Sequence, residues 1–402
     1  MNNGFRMGRV AGIDVFIDWS LLIIFMLITF SLAVGVFPAW HPAWGAGVTW
    51  LTAFASALLF LGSVFVHELS HALVGRAQGM EIRRITLFIF GGMAHLEREP
   101  HTWRSELWMA IVGPITSLVL GVLFVVLGSL AAGEMSIDPE NPRDALSQLG
   151  PLATLLFWLG PVNIILGLFN LVPGFPLDGG RVLRAILWGI TRDLRVATRW
   201  ASNMGQAFAW LLMITGFGMM LGLRMPIFGT GLINGLWLAF IGWFLNNAAL
   251  MSYRQLLIKE SLENVPVARV MKTDFATVDP DMPVQALVDD YLLHRDQRAY
   301  PVIDGERLVG LVCQQDVRKV AREAWAQTKV RDIWTPADAV SIVHPDDDAA
   351  EAMHRLSQRN VNQLPVVEGG RVRGLLRRED ILKWLALRGE LNLDASDTRR
   401  ST

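Results

Sequence analysis

Apolar side chains run in long unbroken stretches through the first 258 residues. Beyond that point they occur in short alternating or helix-period groups between turns. The long stretches lie near 15–37, 48–75, 107–132, 150–172, 201–223 and 228–250. Each reaches the roughly 20 helical residues needed to cross a hydrocarbon core, which predicts six membrane spans. The first is about 23 residues, too long for a secretory h-region, and no small-residue cleavage site follows, so it is read as retained. One stretch breaks the rule. Glu81–Glu97 (EIRRITLFIFGGMAHLE) is rich in β-formers, holds a Gly-Gly pair, and is too short and too charged to span. It is expected to form a short hairpin or re-entrant loop lining a cavity at membrane depth, or else a cytoplasmic hairpin lying on the surface.

The remainder repeats itself. VMKTDFATVDPDMPVQALVDDYLLHRDQRAYPVIDGERLVGLVCQQDV aligns with IWTPADAVSIVHPDDDAAEAMHRLSQRNVNQLPVVEGGRVRGLLRREDI. Pro280 and Pro345 mark matching turns, Pro301 and Pro365 matching strands, Gly310 and Gly374 matching hairpins, and Asp316 and Asp380 open the last helix of each copy. A period of roughly 60 residues predicts two similar α/β units that bury their sheets against each other. The expected organisation is a membrane domain over 1–258, repeats over 259–325 and 326–390, and a disordered tail over 391–402.

Composition sharpens the division. Of the charged residues, 15 basic and 13 acidic fall before residue 259, about 11% of that part, while 21 basic and 24 acidic fall after it, about 31%. This excludes a single soluble domain and a disordered chain. A net charge of −1 gives no electrostatic ground for nucleic-acid binding. One cysteine, Cys313, excludes an internal disulfide framework and a multi-cysteine zinc site. Basic residues flank alternate links: Arg6 and Arg9; Arg76, Arg83, Arg84, Arg98 and Arg104; Arg181, Arg184, Arg192, Arg195 and Arg199; Arg254 and Lys259. By the positive-inside rule a six-span chain then has both termini and the polar repeats in the cytoplasm, in a plasma or inner membrane.

The candidate chemistry lies in the second stretch. His67-Glu68-Leu69-Ser70-His71 is an H-E-x-x-H arrangement within Leu51–Val74. Residues four apart share a helix face, so both imidazoles can reach one metal ion while Glu68 stands beside it as a general base. Zinc, one ion per chain, suits two imidazoles plus a carboxylate with a position left for water. Ionisable groups in hydrocarbon are costly without a purpose. The third ligand is expected from Asn170-Leu-Val-Pro173-Gly-Phe-Pro176-Leu-Asp178-Gly-Gly-Arg181, where prolines and glycines break the fourth span. His71 lies five residues before Arg76 and Asp178 three before Arg181, which puts both at the cytoplasmic ends of oppositely directed spans. His95 is a further ligand by residue type only. A transporter or channel with regulatory repeats is the alternative class, its buried His, Glu and Asp forming a pathway. The four-residue histidine spacing favours the metal.

HELSH in one span and N-x-x-P-x-x-P-L-D-G-G in a later one resemble the site-2 protease family of intramembrane zinc metalloproteases. The polar repeats resemble a tandem pair of CBS domains, as in the CBS-containing branch of that family. The resemblance implies that His67, His71 and Asp178 hold zinc, that Glu68 is the general base, and that Asn170 lines the site and binds substrate backbone or the oxyanion. It also implies that Phe90-Gly91-Gly92 belongs to a membrane-associated β region steadying an extended substrate, and that Gly113-Pro114 opens the third span. The expected fold is a polytopic α-helical membrane domain of about six spans with a short β region, followed by a cytoplasmic α/β CBS pair. The expected partners are a single-span membrane protein substrate, the lipid bilayer, and a second copy joined through the CBS domains. CBS pairs commonly hold an adenine nucleotide through an aspartate at the positions of Asp316 and Asp380. The pattern prefers Ser or Thr three residues earlier, where this chain has Cys313 and Arg377, a departure that weighs against nucleotide binding.

Overall fold

A computed structural model describes residues 4–80, 82–89, 91–96, 100–133, 146–225, 229–359 and 361–390. The chain divides into two units, Met1–Arg254 and Gln255–Thr402. The tail expected over 391–402 lies outside the described residues.

The first unit opens with a hairpin of β1 (Gly4–Val10) and β2 (Ile13–Asp18). Strand β3 (Ile82–Phe88) joins β2 in parallel, and β4 (Gly91–Leu96) returns antiparallel, completing a four-stranded sheet in chain order. The stretch 82–96 is thus a hairpin; Glu81, Phe90 and Glu97 lie outside the described residues. Alternation turns Ile13, Val15, Ile85 and Leu87 to one face, where they pack with Ala72, Met80 and Met109. That core seats the sheet beside the helical turn that carries His71.

The helices are α1 (Ser20–Ser31), continued by a π turn at Leu32–Val36 into α2 (Phe37–Trp40); α3 (Ala46–Ala77); α4 (Trp103–Ala132); α5 (Pro151–Asn170); α6 (Asp178–Thr191); α7 (Leu194–Met220); and α8 (Leu232–Leu262). Among the described residues five segments are long and apolar enough to cross a membrane: Ser20–Trp40, α3, α4, α5 and α8. The sixth expected run, 201–223, is helical as far as Met220, the end of α7, but Asn203, Gln206 and its glycines dilute it. Met26, Phe30, Leu58, Val119, Leu130, Ile165 and Ile233 stay exposed, an outward apolar face suited to lipid. Gly113-Pro114 lies inside α4 rather than opening it, because α4 begins at Trp103, where the Thr102 hydroxyl accepts from Ser105 N at 3.2 Å. Helices α4 and α5 approach closely over Gly121 and Gly167, where an added Cβ would stand 2.9 Å from the Gly160 and Pro114 carbonyl oxygens, respectively.

In the second unit, hairpins β5 (Ala299–Asp304)/β6 (Arg307–Cys313) and β8 (Gln363–Glu368)/β9 (Arg371–Arg377) share one register, Val302 facing Gly310 as Val366 faces Gly374. The two halves of the repeat meet edge to edge, β6 pairing β9 at Arg307 and Arg371, in a sheet ordered β5-β6-β9-β8 with the short β7 (Thr335–Pro336) beside β6. The β6–β9 pairing is one residue pair long; at the other end of the hairpins the buried Gln363 of β8 donates its Nε2 to the Ala299 carbonyl of β5, so the outer strands also meet. Each half has its own core, and each core borrows the other's lead-in: Val265, Val267 and Val270 pack with Val343 and Leu364, and Val330 packs with Val278 and Tyr300.

Candidate metal centre

Helix α3 carries His67 and His71 one turn apart, both buried, and the break after α5 ends where α6 begins with Asp178. Their ligand atoms form a closed triangle. His67 Nε2 lies 3.2 Å from His71 Nε2, and Asp178 Oδ2 lies 3.2 Å from each. Among the described residues these three form the only such cluster, and Glu68 stands outside it.

Their other nitrogens are already bonded. His71 Nδ1 donates to the Met109 carbonyl at 2.5 Å, so in the neutral ring Nε2 carries a lone pair. His67 Nδ1 lies 2.8 Å from the Ser117 hydroxyl, which can accept its proton. Two imidazole lone pairs and a carboxylate oxygen then point at one another, an arrangement that is repulsive without a cation. Tetrahedral zinc with bonds of about 2.0–2.1 Å requires ligand atoms about 3.3–3.4 Å apart, close to the observed separations. The donor set, its spacing and its outer hydrogen bonds therefore fit zinc.

Helix α4 supplies the wall. Met109, Gly113 and Ser117 recur at helical spacing on its inward face. A Cβ on Gly113 would collide with His71 Nε2, so only glycine fits there. A Cβ on Gly92 of β4 would likewise collide with Glu68 Cγ, so the sheet edge passes directly over that carboxylate. Below the centre, Arg184 of α6 donates through Nε to Glu106 Oε1 at 2.7 Å, both side chains buried.

The predicted residues are placed unevenly. His67, His71 and Asp178 come together, with Glu68 beside them. Asn170, the last residue of α5, donates its Nδ2 to the Leu166 carbonyl of its own helix at 3.1 Å. That hydrogen bond ties it to α5 and not to the triangle. The His95 side chain lies outside the described residues. Ser117, the Met109 carbonyl, Gly113 and the Glu106–Arg184 pair were not singled out as site residues in the sequence. Their signal was a run of small or polar side chains at 106, 113 and 117 along an apolar helix.

In the second unit both candidate aspartates are engaged. Asp316 Oδ2 accepts from Cys313 N and Sγ, each at 3.0 Å, and Oδ1 from Lys319 Nζ at 2.8 Å. Burial alone would raise its carboxyl, but these bonds hold it below the usual carboxylate range. Burial and the neighbouring Asp316 push the Cys313 thiol up, away from nucleophilic use. Asp380 is gripped on both oxygens by the Arg377 guanidinium at 2.6 Å. Arg377 also donates to the Asp296 carbonyl at 2.9 Å, and its pairing with Asp380 raises an already high pKa. The adjoining cavity, lined by Lys272, Phe275, Arg295, Gln297 and Arg377, measures about 190 Å³, below the roughly 300 Å³ at which small-molecule pockets begin.

Residues 55–148 and 133–213 match the profile of Peptidase family M50, and 267–323 and 330–387 each match that of the CBS domain. The chain is 34% identical to "Putative zinc metalloprotease Rip3" of Mycobacterium tuberculosis over 387 residues, 96% of this chain and 93% of the relative. It is 27% identical over 390 residues to "Zinc metalloprotease MJ0392" of Methanocaldococcus jannaschii, covering 96% and 97% of the two chains. The solved structure "Site-2 Protease from Methanocaldococcus jannaschii" aligns with 62% of this chain and 95% of its own, at 24% identity and a TM-score of 0.40. With a full-length relative at this identity, the chain is a multi-pass membrane member of Peptidase family M50, the site-2 protease family of zinc metalloproteases, with two CBS domains.

Proposed function

We propose that the protein is a zinc-dependent intramembrane endopeptidase that cleaves a transmembrane segment of single-span substrates in regulated intramembrane proteolysis. The observation that carries the reading is the 3.2 Å triangle of His67, His71 and Asp178, with both outer imidazole nitrogens bonded elsewhere. One zinc ion held there would supply Lewis acidity that polarises a carbonyl and acidifies water. Glu68 sits next to the triangle without belonging to it, where it can take a proton from the attacking water and pass it to the leaving amine. The edge strand β4 runs over Glu68 through Gly92, so an unwound substrate added to that edge has its backbone beside the base. The broken backbone at 171–177 supplies the irregular, wettable wall that a lipid-facing helix cannot. Asn170 serves as backbone or oxyanion donor only after its Nδ2 turns from Leu166.

In this reading α7 completes six spans, both termini and the CBS pair face the cytoplasm, and the β region associates with the membrane of the cell surface or inner envelope. The CBS pair regulates the protease or joins two copies. The occupied Asp316 and Asp380 favour dimerisation over nucleotide sensing. A transporter reading has less support, since a conduction path has no need for two imidazoles whose outer nitrogens are locked.

The test is cleavage of a single-span substrate in detergent by wild type and by Glu68→Gln. Cleavage is expected to disappear in the variant while one zinc per chain remains, and zinc is expected to be lost in His67→Ala. Cleavage that survives Glu68→Gln would overturn the mechanism.

A further inference from the structure

The zinc triangle joins two separate pieces of chain, and nothing in α3 dictates where Asp178 falls. Its position depends on how α6 docks against α4. At the metal end of that contact, Gly113 of α4 touches the histidines while Asp178 reaches them from α6. At the other end, Glu106 of α4 accepts from Arg184 of α6 through both Nε and Nη2 on the single oxygen Oε1. Glu106 is fully buried and Arg184 is 9% exposed. Arg181 Nε stands 4.0 Å from the same oxygen, and Glu106 Oε2 has no partner among the described residues.

The two arms match in length. Glu106 and Gly113 are seven residues apart on α4, about 10.5 Å at 1.5 Å per residue, and Asp178 and Arg184 are six apart on α6, about 9 Å. The helices run in opposite directions here, so one ion pair and one metal corner close a near-rectangle. Glu106, Met109, Gly113 and Ser117 form one stripe of α4, the last three facing the histidines. On α6, Asp178, Arg181 and Arg184 recur at three-residue spacing on one face. Arg184 also lies over the Phe175 ring at 5.3 Å, in the broken segment that leads into Asp178.

We propose that Glu106 and Arg184 are positioning residues for the metal centre. Their buried pair sets the register of α6 on α4 and thereby holds Asp178 Oδ2 within ligand distance of His67 and His71. The proposal rests on the zinc reading above. A slip of one residue along α6 would move Asp178 by about 1.5 Å, far outside the roughly 0.2 Å tolerance of a metal–ligand bond.

The experiment uses the full chain in detergent, loaded with cobalt(II) in place of zinc, whose visible spectrum reports ligand number and type. The variants are Arg184→Lys, Asp178→Ala and the double Glu106→Leu/Arg184→Met, with helix content checked by circular dichroism. The double variant removes both charges, so it leaves no unpaired buried ion if a single substitution fails to fold. Arg184→Lys and the double variant are expected to bind metal 10- to 100-fold more weakly. Their cobalt spectra are expected to shift towards that of Asp178→Ala at unchanged helicity. A wild-type spectrum and affinity in the folded double variant overturns the positioning role. Failure of the zinc reading looks different: the wild-type chain itself would then bind no stoichiometric metal, or bind it independently of His67.

Discussion

Gly113→Ala is the most discriminating small change the structure offers, since it adds one methyl group and removes nothing. The new Cβ would stand 2.8 Å from His67 Nε2 and closer still to His71 Nε2, whereas ordinary contact begins at 3.4 Å. His67 would have to retreat by about 0.6 Å and His71 by more than 1 Å, against a tolerance of about 0.2 Å for a metal ligand. Neither ring is free to do so, since His71 is held by the Met109 carbonyl and His67 faces the Ser117 hydroxyl. Nor can α4 step back easily, being packed on α5 over Gly121 and Gly167. Zinc affinity is therefore expected to fall at least ~100-fold, or about 2.7 kcal/mol. Within α4 itself the change costs nothing, because Ala is a better helix former than Gly by about 1 kcal/mol, so the whole penalty comes from the contact with the two imidazoles. The assay is zinc content by mass spectrometry after dialysis against buffered free zinc, with helicity measured on the same samples. Stoichiometric zinc in the variant at the wild-type free-zinc concentration would refute the geometry described here.

Gly92→Ala tests the neighbouring contact: its Cβ displaces Glu68, so cleavage should drop about 100-fold while zinc content stays at one per chain, and zinc loss would contradict the placement. For the CBS pair, calorimetry with AMP and ATP should show no micromolar binding to wild type, and Arg377→Thr should create binding by freeing Asp380. A tight Asp380-dependent site in the wild type would show that the Arg377 grip yields readily. Asp316 has a depressed folded pKa, so its contribution is present above the unfolded value of about 3.9 and lost as pH falls below it. Tryptophan fluorescence of the second unit should report a loss of stability below about pH 4 that Asp316→Asn flattens, and an identical pH profile in the variant would count against it.

Much of the site was legible because local geometry carries it. HELSH needs only a helix to put two imidazoles on one face, and apolar surroundings make their presence conspicuous. Asp178 was reachable by a second local argument, since charge topology set its depth beside that of His71. The same reasoning found the repeat, whose two copies each match the CBS profile. It left a hairpin or a re-entrant loop open for Glu81–Glu97, and the described strands β3 and β4 pair antiparallel. The resemblance put a span opening at Gly113-Pro114, yet the Thr102 cap starts α4 about ten residues earlier.

What the sequence alone determined is therefore what period and polarity can encode: which segments suit lipid, which suit water, and which three side chains suit zinc. The tertiary structure decided the rest, because it depends on the rotation and register of one helix against another. That Ser117 and the Met109 carbonyl lock the imidazoles, and that Gly113 leaves room for them, follows from the face α4 turns inward. A change of one residue in that register would keep every hydrophobic run intact and destroy the triangle.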